Sequence, residues 1–161
     1  LVQGGTGSKS DDEHQPLFLP DKFEAGTPNT VGIAGLQAGL RFIADTGQKQ
    51  IAHHEKQLAQ LFVDGLKDLP QTRIHGPAAD EERVATVSIS VPGRDLGELA
   101  FRLDTDYGIM VRSGLHCAPL AHKTLGTFPQ GTLRFSFGYF NTKDDVLYSI
   151  DALRHLLKAE A

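Results

Sequence analysis

The chain contains one cysteine, one methionine and no tryptophan among its 161 residues. A single cysteine excludes an internal disulfide framework and a zinc site built on paired cysteines, and it fits a reducing compartment such as the cytoplasm. No stretch approaches the ~20 consecutive apolar residues that span a bilayer. An excess of positive charge is also absent, because the formal net charge is −4. We therefore expect a cytoplasmic protein that binds neither nucleic acid nor a membrane.

The distribution of periodic segments divides the chain unevenly. Residues 1–26 show no helical or strand period and are rich in glycine, proline and polar residues. This composition predicts an extended lead-in segment that normally lies against another part of a protein. Residues 27–161 carry the periodic elements and have the length of one ordinary domain. The chain opens on Leu1 without an initiator methionine, and we interpret it as the rear part of a longer protein.

Apolar periodicity, caps and breakers predict the secondary structure of the periodic part. Residues 85–91 alternate strictly between apolar and polar side chains, which indicates a half-buried strand. Asp95 followed by Glu98 is a capping box, and Thr27-Pro28 resembles a helix start. The order predicts an α+β fold, a small antiparallel or mixed sheet covered by helices on one face. The predicted helices are 28–45, 48–68, 95–106 and one beginning near 142, and the predicted strands are 73–75, 85–91, 109–111 and 133–137.

Cys117 lies in the segment RSGLHCAPLAH, between a glycine and a proline that indicate a loop. A lone cysteine is most often a small buried hydrophobe that takes no part in chemistry. The alternative is a nucleophile, because a thiolate is stabilised where cations or free backbone amides surround it. Arg112 and His116 are candidate sources of such positive potential. The residues alone leave both interpretations open.

Two arginines are candidate anion ligands. Arg134 belongs to the predicted strand 133–137, where Leu133, Phe135 and Phe137 occupy the core face and Arg134 the opposite face. It is either a solvated side chain or a bidentate clamp for a carboxylate, the geometry in which arginine is superior to lysine. The same alternatives hold for Arg112. The histidines His53, His54, His116 and His122 follow no zinc-ligand spacing, so we predict no metal site.

Three segments in order resemble the carboxy-terminal part of cysteine desulfurases. They are FEAGTPNTVGIAGLQAGLRFI at 23–43, GIMVRSGLHCAPLAH at 108–122 and GTLRFSFGYFNT at 131–142. Cysteine desulfurases are pyridoxal-phosphate enzymes of the class V aminotransferase family, with the type I fold, and selenocysteine lyases are close relatives. Leu115 stands where many relatives of the second desulfurase group have a histidine. The resemblance therefore leaves the subgroup open.

The resemblance implies roles for individual residues. Cys117 matches the cysteine that forms the persulfide, and Arg134 matches the arginine that holds the substrate carboxylate. Arg112 resembles the arginine near the cysteine loop and is a further substrate-binding candidate. Thr27, with Gly26 beside it, resembles the threonine that reaches the cofactor phosphate of the neighbouring subunit. The implied cofactor is pyridoxal 5'-phosphate, and the implied assembly is a homodimer.

The same resemblance implies a reaction and its partners. Sulfur is taken from L-cysteine as an enzyme persulfide, L-alanine is released, and a sulfur-acceptor protein carries the sulfur towards iron–sulfur cluster assembly. The family's Schiff-base lysine lies upstream of the matched region, so we expect this chain alone to be inactive. Selenocysteine lyase, another class V enzyme such as an epimerase, and a cofactor-free thiol interaction module are the alternatives.

Overall fold

A computed structural model describes residues 5, 7–9, 11–77 and 83–158. The chain divides into two compact units, Leu1–Gly47 and Gln48–Ala161, and each is described by itself. In the described part of the chain, none of the helices combines the length and the apolar composition needed to cross a membrane.

The first unit contains a short 3-10 helix, Asp21–Phe23, and helix α1, Thr30–Thr46. Helix α1 begins two residues later than the sequence indicated, because the cap is Asn29 and not Thr27. The Asn29 side chain accepts a 3.0 Å hydrogen bond from the Gly32 amide. Gly47 ends the helix at φ 89°, a conformation that suits glycine. No residue of α1 is buried.

The second unit contains four helices and four strands in the described residues. The predicted helices and strands all occur, apart from one strand whose position differs. The elements are α2 (Gln48–Leu66), β1 (Arg73–His75), β2 (Thr86–Ser90), α3 (Leu96–Tyr107), β3 (Arg112–Gly114), α4 (Pro119–Thr124), β4 (Thr132–Ser136) and α5 (Lys143–Lys158).

The four strands form one antiparallel sheet in the order β1-β2-β4-β3. This confirms the α+β prediction and decides it in favour of the antiparallel alternative. Helices α2, α3 and α5 lie on one face, where the strands present Val87, Ile89, Leu133 and Phe135. Phe62 of α2 is fully buried and packs on Phe135, with ring centroids 4.6 Å apart. The opposite face carries the polar residues of the same strands.

The second unit differs from the sequence predictions at two places. The strand expected at 109–111 is observed at Arg112–Gly114. Helix α3 ends in a left-handed cap at Gly108, and the Ile109 amide bonds back to the Leu103 carbonyl, so the chain leaves the helix before it joins the sheet. Helix α4 was not predicted at all. It is a short helix of 6 residues that begins at Pro119, directly after the cysteine loop.

Candidate functional site

The pairing of β3 with β4 places two arginines side by side. Arg112 and Arg134 are direct partners in the register of these antiparallel strands. Directly opposite residues project from the same face of a sheet with their Cβ atoms about 5 Å apart. Since Leu133 and Phe135 fill the helix-covered face, the two arginines share the other face. The sequence predicted that Arg134 lies on the face opposite the core, and the structure shows that Arg112 is its direct neighbour there.

Cys117 lies in the loop that follows β3, and its side chain is exposed. Cys117 is therefore not a buried hydrophobe, as the first of the two interpretations requires. The Nη2 atom of Arg112 lies 3.8 Å from the Cys117 sulfur. The structure thus brings the thiol together with one of the two predicted arginines.

The backbone of the cysteine loop adopts an unusual conformation. His116 and Cys117 have φ values of 50° and 61°, although neither is glycine. Positive φ costs a side chain of this kind about 1 to 3 kcal/mol, so neighbouring contacts must hold the loop. One such contact is a 3.0 Å hydrogen bond between His116 Nε2 and the Arg112 carbonyl. A second joins the Ala118 amide to the Leu115 carbonyl at 2.8 Å.

His116 is not a source of positive potential at neutral pH, contrary to the sequence interpretation. Burial lowers its pKa from the usual value of 6.5, and this outweighs the hydrogen bond to the Arg112 carbonyl, which raises it. The charges of Arg134, His122 and Arg112 lower the pKa further. The positive charge beside the thiol therefore comes from Arg112.

His122 belongs to helix α4, which follows the cysteine loop, and is only 5% exposed. Its Nδ1 atom shares a 2.7 Å hydrogen bond with the Thr127 hydroxyl. Its ring lies against that of His116, with centroids 5.8 Å apart. From the sequence, His122 is only one of four histidines whose spacing fits no zinc site, and no other role is predicted for it. In the residues that the structure describes, no group of three or more histidine, cysteine, aspartate or glutamate side chains is placed to hold a metal ion.

Two polar atoms on the arginine-bearing face are buried without a hydrogen-bond partner among the described residues. They are the Nε of Arg134 and the hydroxyl of Thr132. Thr132 is 1% exposed and lies two residues before Arg134 on the same strand, so it occupies the same face. Sequence reasoning missed Thr132 and Thr127. The alternation around Arg134 could have identified Thr132, whereas nothing local identifies Thr127.

The predicted cofactor contacts, Gly26 and Thr27, belong to the first unit. Gly26 turns the chain at φ 76°, and its amide donates a 2.7 Å hydrogen bond to the Gly5 carbonyl. The Gly26 amide therefore already has a backbone acceptor in this structure. Thr27 is exposed.

Comparisons with known proteins identify relatives of this chain. Residues 3–148 match the family described as "Aminotransferase class-V". The chain is 39% identical over 127 residues to a probable cysteine desulfurase of Mycobacterium leprae, covering 79% of this chain and 30% of that protein. It is 36% identical over 140 residues to a probable cysteine desulfurase of Pyrococcus abyssi, covering 87% and 34% respectively.

Solved structures give the same result. The apo cysteine desulfurase of Thermococcus onnurineus superposes with a TM-score of 0.80 at 38% identity, over 87% of this chain and 34% of that one. The Escherichia coli cysteine desulfurase CsdA, in its S-sulfonic acid form, superposes with a TM-score of 0.82 at 32% identity, over 98% and 38%. The chain thus spans about a third of the length of these relatives. Pyridoxal phosphate is the cofactor of this enzyme class, and the chain belongs to the class V aminotransferase family.

Proposed function

We propose that this chain is the carboxy-terminal part of a pyridoxal-phosphate-dependent cysteine desulfurase. In this proposal Cys117 takes sulfur from L-cysteine as a persulfide, and L-alanine is released. The observation that carries the proposal is the placement of an exposed thiol beside Arg112, which is itself the direct sheet partner of Arg134. The names of the relatives support the substrate assignment.

The paired arginines favour an anionic ligand. Like charges on directly opposite residues destabilise a sheet. A carboxylate between Arg112 and Arg134 would remove that repulsion, and the buried Nε of Arg134 would gain the partner that it lacks among the described residues. We therefore assign Arg134 as the carboxylate clamp of the amino-acid substrate. Arg112 contacts both this region and the thiol, so it is the second substrate-binding candidate.

The thiol performs a nucleophilic substitution on sulfur. The Cys117 thiolate attacks the substrate sulfur, the S–S bond of the persulfide forms, and the substrate Cβ–S bond breaks. The electron pair of that bond stays on the substrate carbon, which then takes up a proton and becomes the methyl group of alanine. The enzyme sulfur is oxidised to the persulfide level while that carbon is reduced. Pyridoxal phosphate, when bound, supplies the electron sink that activates the substrate amino acid.

The residues of this chain can hold only one part of the cofactor, its phosphate group. Thr27 offers an exposed hydroxyl that can donate to a phosphate oxygen, and Gly26 supplies the turn that presents it. The Gly26 amide is bonded to the Gly5 carbonyl, so Thr27 is the donor of this pair. We propose that the Schiff-base lysine and the ring contacts lie in the part of the relatives that this chain does not span.

The wider context follows from the same proposal. Residues 1–26 are the lead-in from the cofactor-binding domain, and residues 27–161 are the small domain. We expect the complete enzyme to be a cytoplasmic homodimer in which Thr27 contacts the cofactor of the neighbouring subunit. The exposed position of Cys117 allows an acceptor protein to collect the sulfur for iron–sulfur cluster assembly. This chain alone should neither form a stable imine band with pyridoxal phosphate nor release alanine.

The test compares variants of the full-length protein that contains this sequence. Cys117→Ala should still bind L-cysteine, seen as a change in cofactor absorbance, but should release no alanine above background. In the unmutated protein, mass spectrometry should find a gain of roughly 32 Da, one sulfur atom, on the peptide that carries Cys117. Arg134→Ala should weaken substrate binding about 30-fold or more, because it loses a charge-assisted, bidentate interaction worth roughly 2 to 4 kcal/mol.

Arg73→Ala is the matched control, since Arg73 is an exposed arginine on edge strand β1 of the same sheet. It should leave both measurements unchanged. Near-normal alanine release by Cys117→Ala would overturn the proposal and favour a lyase that does not use this thiol. Faster turnover of L-selenocysteine, with no persulfide on Cys117, would identify a selenocysteine lyase.

A further inference from the structure

The cysteine loop depends on contacts from outside itself. It holds two consecutive non-glycine residues, His116 and Cys117, at positive φ. Such a conformation persists only where the surroundings fix it. The loop's own bonds include the Ala118 amide to the Leu115 carbonyl, which closes a turn but leaves the side chain of His116 to be placed by other groups.

His116 links the loop to strand β3. A carbonyl oxygen only accepts hydrogen bonds, so the bond between Arg112 O and His116 Nε2 requires the hydrogen to be on Nε2. This imidazole fixes the backbone of the residue whose guanidinium contacts the thiol. The geometry of Arg112 and Cys117 therefore depends on where the His116 ring lies.

His122 is the buried side chain whose ring lies against that of His116. It is buried, its ring lies 5.8 Å from that of His116, and its Nδ1 is fixed by the Thr127 hydroxyl at 2.7 Å. The His122 carbonyl also accepts from the amides of Thr127 and Phe128, at 2.9 and 3.2 Å. His122 is thus anchored by the segment after α4. The bond to Thr127 gives this buried imidazole a defined orientation against the His116 ring.

We propose that His122 is a positioning residue for the Cys117 thiol, holding the His116 ring so that the loop presents the sulfur beside Arg112. This inference rests on the proposed function, which gives the thiol its task. The lowered pKa of His116 supports it, because a neutral imidazole can donate from Nε2 while it lies close to three other basic side chains. Thr127 contributes to the same positioning, since its hydroxyl is hydrogen-bonded to the His122 ring and fixes its orientation.

The experiment uses Thr127→Val in the full-length holoenzyme, a change that keeps the shape of the side chain and removes its hydroxyl. The first measurement is the rate of alkylation of Cys117 by iodoacetamide at fixed pH, followed by mass spectrometry. The thiol is already exposed, so a loosened loop gains little access and loses the contact with Arg112. We expect the rate to fall about fivefold, which corresponds to about 1 kcal/mol and to a partial loss of the long, 3.8 Å contact with Arg112. In turnover with L-cysteine, kcat should fall by a similar factor.

Two companion variants separate positioning from folding. Thr127→Ser retains the hydroxyl and should restore the alkylation rate and kcat. Thr124→Val removes a hydroxyl that donates to the Leu120 carbonyl within α4. That bond involves neither histidine, so this variant should behave as the unmutated protein. His122→Phe keeps a buried ring without Nδ1 and should reproduce Thr127→Val.

The outcomes distinguish this inference from the proposed function. Unchanged alkylation in both Thr127→Val and His122→Phe would overturn the positioning role while leaving the desulfurase assignment intact. An equal loss in Thr127→Val and Thr127→Ser would also overturn it, because the hydroxyl would then be irrelevant. Near-normal alanine release by the Cys117→Ala variant would overturn the proposed function, whatever the alkylation rates of the other variants are.

Discussion

Gly131 lies where the chain returns from the cysteine loop into β4, and its replacement by alanine tests how tightly the loop is held. Gly131 has a φ of 77°, and a Cβ built on it would lie under 3.0 Å from backbone atoms of Gly114, the last residue of β3. Positive φ costs an alanine about 1 to 2 kcal/mol. Overlap with backbone adds about 1 to 3 kcal/mol, because backbone atoms have no rotamer into which they can retreat.

The two effects together predict a loss of about 3 kcal/mol for Gly131→Ala. In a chain of this size, each kcal/mol lowers the midpoint of thermal unfolding by about 2 to 4 °C, so we expect a fall of roughly 6 to 12 °C. Two matched glycines separate the contributions. Gly126 has a φ of 71° with open space around it, and Gly138 has open space and no positive φ.

Circular dichroism of the three alanine variants of the 161-residue chain measures these effects. Gly138→Ala should lie within about 0.5 kcal/mol of the parent chain, as surface substitutions usually do. Gly126→Ala should lose only the backbone contribution of about 1 to 2 kcal/mol. Equal midpoints for Gly126→Ala and Gly131→Ala would refute the claim that Gly114 and Gly131 are in close backbone contact.

Three further predictions concern the same chain. Asp95→Ala should cost about 1 kcal/mol in urea unfolding, because the Asp95 side chain caps α3 by accepting from the amides of Gly97 and Glu98. Phe62→Ala should cost about 3 to 5 kcal/mol, whereas Phe101→Ala, at a side chain 66% exposed, should cost less than about 0.5 kcal/mol. Burial lowers the pKa of both His75 and His116 below 6.5, so their neutral forms stabilise the fold above that pH and this contribution is lost as the pH falls further. The urea midpoint should therefore fall between pH 7 and pH 5, and the double variant His75→Gln, His116→Gln should show a smaller fall.

Local patterns predicted most of the fold because they report local physics. The alternation at 85–91 gave β2, and the capping pattern at Asp95 and the glycine at 108 gave the bounds of α3 to within a residue. The position of β3 was missed because it depends on pairing with β4, which lies far along the chain. Helix α4 was missed because 6 residues are too few to show a period.

In the candidate site, the identity of the residues was predictable from the sequence, whereas their arrangement in space was not. Cys117, Arg112 and Arg134 were identifiable from residue type and resemblance. Their arrangement was not. The opposition of the two arginines depends on the sheet register, and the contact between His122 and His116 depends on a loop at positive φ. Side-chain burial also reversed the charge expected for His116. Long-range packing, which no local pattern contains, decides each of these features.

The exposure of Cys117 has a consequence for survival under oxidative stress. An exposed thiolate that reacts with peroxide first becomes a sulfenic acid, and a nearby second cysteine can rescue this product as a disulfide. The chain contains one cysteine, so these residues offer no such rescue. Further oxidation to the sulfinic and sulfonic acids would permanently remove the sulfur from use. The exposure that the proposed sulfur transfer requires would thus also leave Cys117 open to oxidation.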